Sequence, residues 1–503
     1  MYKSLKFSNL NVLNFYKIML QSKDIQSIEE LKKYFSSSTK MVDYLVNLLS
    51  FFEFKGVCGV LKPLKKRGYD IINVFPIFII LPFLKHTSIY ALFKSGNKDL
   101  SGAQKDVYYR FKNMQIIPWR KLLRNFVKRF VVIVEKRTET INEGKRCLII
   151  DDSLLDKTGK TIEFAGKLWD HVTHSYKLGL RLLLLCYYDG TSNLPLDFSI
   201  HREKGKNEQK PYGLTKKQLK GQHKQCRAKD SESDKRAREV DSSKIDVGIA
   251  MIKRALKILK VDYVLMDSWF TSERMIECVR SCTKQNVHII GMMKMAKAKY
   301  LYKGKFYDAA ELLRKGKREI GIKRCRKIKA GYIIMDAVYK EYRVRLYFSR
   351  FGQKGKWHLI LTTDTSLSYL KAMEQYQVRW TIEVFFKESK QYLNLGKCQS
   401  ANFEAQIADT TITMIQYILL TLRKRFDDYE TRGEIFRATG EEMLERRLHV
   451  RLWELLIIIM KIIIETLEVV VEDIDTCINR LINSDKLKGI LELISPNHKK
   501  ILT

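Results

Sequence analysis

No CxxC pair occurs among the nine cysteines of this 503-residue chain. Cys278 and Cys282 sit four apart on a predicted helix with no histidine partner nearby, and all nine read as reduced thiols of a cytosolic protein. His171 and His174 form an isolated HxxH, which reads as structural or DNA-facing rather than zinc-binding. No secretory signal opens the chain. Apolar runs long enough to span a bilayer are also lacking. The run at 71–84 is about 14 residues long and is broken by Pro76 and Pro82. The run at 455–471 carries Lys461, Glu465 and Glu468. Both read as buried or oligomer-forming helices, and no membrane partner is expected. Acid is scarce as well: 56 Asp and Glu stand against 92 Lys and Arg, a net charge of +36. That excess favours a polyanionic partner, because each phosphate contact releases condensed counterions. Charge alone also suits a generic basic protein such as a ribosome-associated factor. No RNP-type aromatic motif is present to support RNA processing.

What the sequence does have centres on residues 370–393, LKAMEQYQVRWTIEVFFKESKQYL, which read as one helix free of Pro and Gly. At about 100° per residue, Tyr376, Arg379, Glu383, Lys387 and Lys390 fall within an arc of about 80°. Val378, Ile382 and Phe385 form an apolar set on the opposite side. The polar face therefore offers one carboxylate among three cations and a phenol. Either it is a structural salt bridge, or it is a metal-binding Glu beside phosphate-binding Arg and Lys. Outside the apolar face, Arg379→Ala is expected to leave stability within about 1 kcal/mol.

The rest of the chain divides into five stretches. Residues 1–143 read as a helical N-terminal region suited to DNA binding. Ser27 and Glu30 fit a capping box, and residues 40–54 repeat apolar positions at helical spacing. QKDVYYRFKN and the helix opening at Pro118 read as a helix–turn–helix, with Arg120, Lys121 and Arg124 on the second helix. An amphipathic surface helix with a solvated basic face fits them equally well. Residues 144–292 alternate strands and helices, and KRCLIIDDS and VDYVLMDSWF read as strands ending in acids. Within them, residues 202–229 hold ten Lys/Arg against two Glu and read as a mobile DNA clamp or as disorder. Residues 293–356 read as a basic β-rich insertion, with nine Lys/Arg against one Glu at 314–329. Residues 357–425 carry the Glu383 helix. Residues 426–503 read as a helical C-terminal region suited to oligomerisation.

Strands with acids at the ends of the first and fourth can lie side by side, and a helix on the same edge can add a third carboxylate. Asp151 (or Asp152), Asp267 and Glu383 are the candidates. Three separated carboxylates suit two Mg²⁺ ions, with Mn²⁺ as the alternative, held about 4 Å apart for in-line phosphoryl transfer. Such a site needs no His or Cys.

Four of these residues carry a resemblance. Tyr376, Arg379, Glu383 and Lys390 match Y-(2)-R-(3)-E-(6)-K, the signature of DDE transposases of the insertion-sequence-four family. IIDDS at 149–153 and LMDSWF at 265–270 resemble that family's two aspartate strands. The resemblance covers about residues 100–425. It implies an α/β fold with an RNase H-like catalytic core, a β-rich insertion and flanking helical regions. It implies a cut-and-paste enzyme of the bacterial cytoplasm and nucleoid. Such an enzyme binds terminal inverted repeats, nicks by metal-dependent hydrolysis and joins the freed 3′-OH to target DNA, usually as a dimer. Asp267 and Glu383 correspond to the second and third acids. For the first, the family's D-x-S pattern selects Asp151 with Ser153, and Asp152 then points to the other face of its strand. Tyr376, Arg379 and Lys390 correspond to residues holding DNA phosphates. Trp269 and Trp357 are either base-stacking residues or core. A nuclease of the same fold without strand transfer, or a non-catalytic DNA-binding relic, would carry the same fold.

Overall fold

Long apolar strands dictate an interior sheet here. In a computed structural model, the described residues are 52–64, 68–69, 71–83, 86, 88–94, 103–137 and 144–426, apart from 283, 297 and 353. The Ser27/Glu30 capping box, most of the 40–54 pattern and the 455–471 run lie outside them. Contacts divide the chain into two compact units, residues 52–82 with 105–435, and residues 1–51 with 83–104 and 436–503. Of the second unit, the helix Ile89–Lys94 is described, with Ile89 and Leu92 buried.

In the first unit the described strands are β1 (Cys147–Asp156), β2 (Gly166–Asp170), β3 (Ser175–Tyr188), β4 (Asn193–His201), β5 (Tyr263–Met266) and β6 (His288–Met293). Then follow β7 (Tyr300–Tyr302), β8 (Lys305–Tyr307), β9 (Lys323–Cys325), β10 (Ala330–Tyr339), β11 (Tyr342–Phe351) and β12 (Trp357–Thr362). Its principal helices are α1 (Ile71–Ile80), α2 (Lys105–Lys112), α3 (Trp119–Arg137), α4 (Glu232–Glu239) and α5 (Lys244–Leu256). After them come α6 (Glu273–Arg280), α7 (Ala309–Glu319), α8 (Tyr369–Gln377), α9 (Trp380–Tyr392) and α10 (Phe403–Phe426).

All twelve strands join one mixed sheet in the order β2-β3-β1-β5-β6-β12-β11-β10-β7-β8, with β4 on β3 and β9 on β10. β1 is buried from Cys147 to Ile150, as expected of a strand covered on both faces. It runs antiparallel to β3 and parallel to β5, and β5 runs parallel to β6. This is the α/β, RNase H-like arrangement that the family resemblance implies. β10 and β11 lie within the stretch expected to be a β-rich insertion, and β12 follows directly after it. β2 and the helices α4 and α7 were not anticipated. For α7 a signal exists: Asp308 and Glu311 form a capping box that opens it.

The helical layer is held by α10. It packs on α3 and β4, and its buried Thr410, Thr411 and Thr421 each donate to the carbonyl four residues back, at 2.7–2.8 Å. Local back-bonding thus satisfies hydroxyls inside an apolar layer. Among the described residues no helix is long and apolar enough to cross a membrane. α1 accommodates Pro76 within its ten residues.

Residues 202–229 are neither disordered nor a bare loop. Thr215 and Gln218 form a capping box at the helix Lys216–Lys220. Arg202 pairs with Asp241 through two bonds of 2.7 and 2.6 Å and stacks on Tyr212 at 3.9 Å. Arg227 is 8% exposed and bonds Glu163 at 2.7 Å and Glu404 at 2.8 Å. The segment is basic because its arginines serve internal partners, while Lys204, Lys206, Lys210, Lys216 and Lys217 stay exposed. Removing Arg227 would strand two buried carboxylates. Arg227→Met is therefore expected to lower unfolding free energy by about 3–5 kcal/mol in a denaturant titration. A loss below about 1 kcal/mol would show that the network does not hold the segment.

Candidate active site

Two aspartates come together because of strand register. In the parallel β1–β5 pair, Ile150 lies opposite Met266, so the next residues, Asp151 and Asp267, sit at neighbouring positions. β1 does not end at its acids as expected but runs on to Asp156, paired with β3, and only its pairing with β5 stops there. Asp151 accepts the Asp152 backbone N–H at 2.8 Å on Oδ1. Asp267 accepts those of Trp269 and Phe270 at 2.9 and 3.0 Å on its own Oδ1, closing a tight Asx-type turn. Thr271 donates to the Asp267 carbonyl at 2.6 Å. A Cβ at Gly291, on the adjacent β6, would collide with the Thr271 side chain, so glycine leaves room for this turn.

Glu383 arrives from α9. The stretch 370–393 is not one helix: α8 stops at Gln377 and α9 begins at Trp380. Between them the amides of Val378, Arg379, Thr381 and Ile382 bond carbonyls three residues back rather than four. Three-residue turns advance the helix phase, yet Arg379 still meets Glu383, and Arg379 and Lys390 reach the same face of β1 at Asp151 and Ser153. Tyr376 is only 6% exposed and Arg379 8%. Both are buried, contrary to the expectation that Arg379 lies outside the core. Arg379 donates to Asp151 Oδ2 at 3.1 Å and to Glu383 Oε1 at 2.8 Å, bridging strand and helix. Ile382 and Phe385 are buried as expected, and Phe385 meets Tyr417 edge-on at 4.7 Å. Lys390 donates to Ser153 Oγ at 2.9 Å, and Lys387 is exposed.

Asp152 points to the opposite face of β1. There it pairs with Lys244 at 2.6 Å and Arg181 at 3.6 Å. Of the basic residues on α3, Arg120 is turned inward to Asp197 at 2.7 Å and Glu239 at 2.8 Å, which corrects the expectation of a free DNA contact. Arg124 is half-buried and Lys121 exposed. His171 and His174 lie on the exposed β2–β3 turn. Trp269 is 45% exposed, and Trp357 is flanked by Lys317 and Arg350. Sequence reasoning missed Lys244 and Arg181, for which no spacing signal exists. It also missed Trp380, exposed beside Arg379; its place next to a signature residue was the available clue.

Electrostatics follow from this crowding. Burial, and the neighbouring Asp267 charge, push the Asp151 carboxyl up to about 7 even with Arg379 at 3.1 Å. Burial pushes the Tyr376 phenol up to about 12 and the Lys390 ammonium down. A carboxylate raised by a like charge is a place where a hard divalent cation relieves repulsion, and oxygen donors suit Mg²⁺. The donor chemistry therefore fits a metal. Among the described residues no three His, Cys, Asp or Glu side chains already form a metal cage, and it is Arg379 that bridges two of the acids.

Residues 234–419 match the family model of the transposase DDE domain. That span holds Asp267 and Glu383 and begins after Asp151, and the match supports a DDE transposase. No curated protein matches the chain.

An acid whose folded pKa is raised gives stability at low pH that is lost as pH rises through the folded value. With chelator present, the protein should therefore lose stability as pH rises from about 4, where the unfolded carboxyl ionises, to about 7. Asp151→Asn removes that contribution. Melting temperatures of the two proteins across this range should diverge in the variant's favour, and parallel curves would refute a raised Asp151.

Proposed function

We propose that this chain is a DDE transposase of the insertion-sequence-four type. It binds the terminal inverted repeats of its element, cleaves the ends by hydrolysis and joins the 3′-OH to target DNA. The observation that carries the reading is the meeting of Asp151 and Asp267 on adjacent parallel strands, just past the point where their pairing stops, with Glu383 tied to Asp151 through Arg379. Asp151, rather than Asp152, is the first acid on this reading, since Asp152 is spent on Lys244 and Arg181.

Asp151, Asp267 and Glu383 would hold Mg²⁺ or Mn²⁺, two ions in the full reaction, whose role is to polarise phosphate oxygens and generate the attacking hydroxide. The protein's own groups do the positioning. Backbone amides aim the two aspartates. Arg379 offers a planar fork that suits either carboxylate or phosphate, and Tyr376 packs against it, its ring centre 5.8 Å from the guanidinium. Lys387, Lys390 and Lys121 are assigned to DNA phosphates, with Arg124 beside them. Arg120 is assigned to holding α3 in place. The partners are double-stranded end and target DNA and a second copy of the chain, in the bacterial cytoplasm and nucleoid. The five domain stretches keep their proposed roles, with residues 426–503 in oligomerisation.

Asp267→Asn and Glu383→Gln are each expected to abolish cleavage of end DNA while end binding stays nearly intact. Normal cleavage by either variant would sink the assignment, and cleavage without joining in a strand-transfer assay would make the protein a nuclease. Replacing Lys204, Lys206, Lys210, Lys216 and Lys217 by Gln should flatten the salt dependence of DNA binding, by roughly one unit of log–log slope for each phosphate no longer neutralised. An unchanged slope would mean these lysines are only solvated surface.

A further inference from the structure

One ammonium group touches both the β1 strand and the turn after β5, from behind the acids. Lys244, the first residue of α5, reaches Asp152 Oδ2 at 2.6 Å. Its Nζ also lies over the Trp269 ring, 4.1 Å from the centroid. Those two residues supply the backbone N–H groups that hold Asp151 Oδ1 at 2.8 Å and Asp267 Oδ1 at 2.9 Å. The Lys244 side chain is 15% exposed and lies between carboxylates, with Glu203 at 3.7 Å as a second partner. Its charge is already matched inside the protein, so it is poorly placed to meet a phosphate.

We propose that Lys244 is a positioning residue that sets the spacing of the Asp151 and Asp267 carboxylates. This rests on the transposase reading of those acids. The ion pair to Asp152 fixes the Asp151–Asp152 peptide where β1 leaves its pairing with β5, and the cation–π contact fixes the turn after β5. Both amides then point at their carboxylates in a constant geometry. Groups that orient metal ligands from outside commonly set affinity by about 10–100-fold.

The test is Mn²⁺ binding by the full chain without DNA, read from the electron paramagnetic resonance signal of free Mn²⁺. Lys244→Met should weaken Mn²⁺ binding by about tenfold or more, with melting temperature and end-DNA binding close to wild type. Lys244→Arg should restore most of the affinity, because a guanidinium keeps both the ion pair and the ring contact. Asp152→Asn cuts the same link from the other side and serves if Lys244→Met fails to fold. It should match Lys244→Met, and the double variant should be no weaker. Wild-type Mn²⁺ affinity in Lys244→Met or Asp152→Asn would overturn the proposal. So would a failed rescue by arginine, or a loss of DNA binding with Mn²⁺ affinity intact, which would make Lys244 a phosphate contact. The transposase reading fails separately: wild-type protein would then bind no Mn²⁺, or Asp267→Asn would bind it normally.

Discussion

The register of one parallel strand pair governs this protein. Opposing Ile150 to Met266 brings two carboxylates into neighbouring positions at the end of a largely buried sheet. Like charges in a poorly solvated place repel, and burial penalises Asp151 further. The surroundings answer this with fixed hydrogen-bond donors and one guanidinium. Backbone amides take one oxygen of each aspartate, and Arg379 takes the other oxygen of Asp151 while reaching Glu383. α9 is thereby attached to the sheet at the point where the charge is densest.

A similar solution recurs deeper in the molecule. Asp197 is 2% exposed and receives Arg120 at 2.7 Å and Arg254 at 2.8 Å. Glu163 and Glu404 share Arg227. Ion pairs of this kind recover their desolvation cost only with good geometry, and breaking one member is expensive. They tie α3 and α5 to β4, and α10 to the loop between β1 and β2, through specific partners. Part of the chain's basic excess therefore works as internal structure, and the exposed lysines carry what remains for a polyanion.

The fold was legible where pattern and period were strong. IIDDS and LMDSWF read as strands whose order allows them to lie side by side, as they do, although β1 runs past its acids to Asp156. The amphipathic helix spacing located Ile382 and Phe385 in the core. What sequence could not supply was context over distance. Nothing in the spacing of 370–393 announces the i−3 bonding that splits it, because every residue there is an acceptable helix former. Counting Lys and Arg in 202–229 marked solvation, yet Arg202 and Arg227 are bound to Asp241, Glu163 and Glu404. The pairing of Lys244 with Asp152 joins residues 92 positions apart. That Asp151 and Asp152 have partners on opposite faces of β1 did follow from the sequence, since neighbours on a strand point to opposite faces.

The continuity of the sheet bears on how the chain can be cut. β12 lies between β6 and β11, hydrogen-bonded to both, so residues 293–356 are not an appendage. Excising them would leave Trp357–Thr362, a strand reading WHLILT, with one edge of unpaired amides and carbonyls and no charge to guard it. Such an edge invites pairing with another chain. A shortened protein would then be limited by edge-to-edge aggregation before any weakening of DNA binding could be measured. A truncation that spares solubility has to retain β11 or place a proline or lysine on the freed edge.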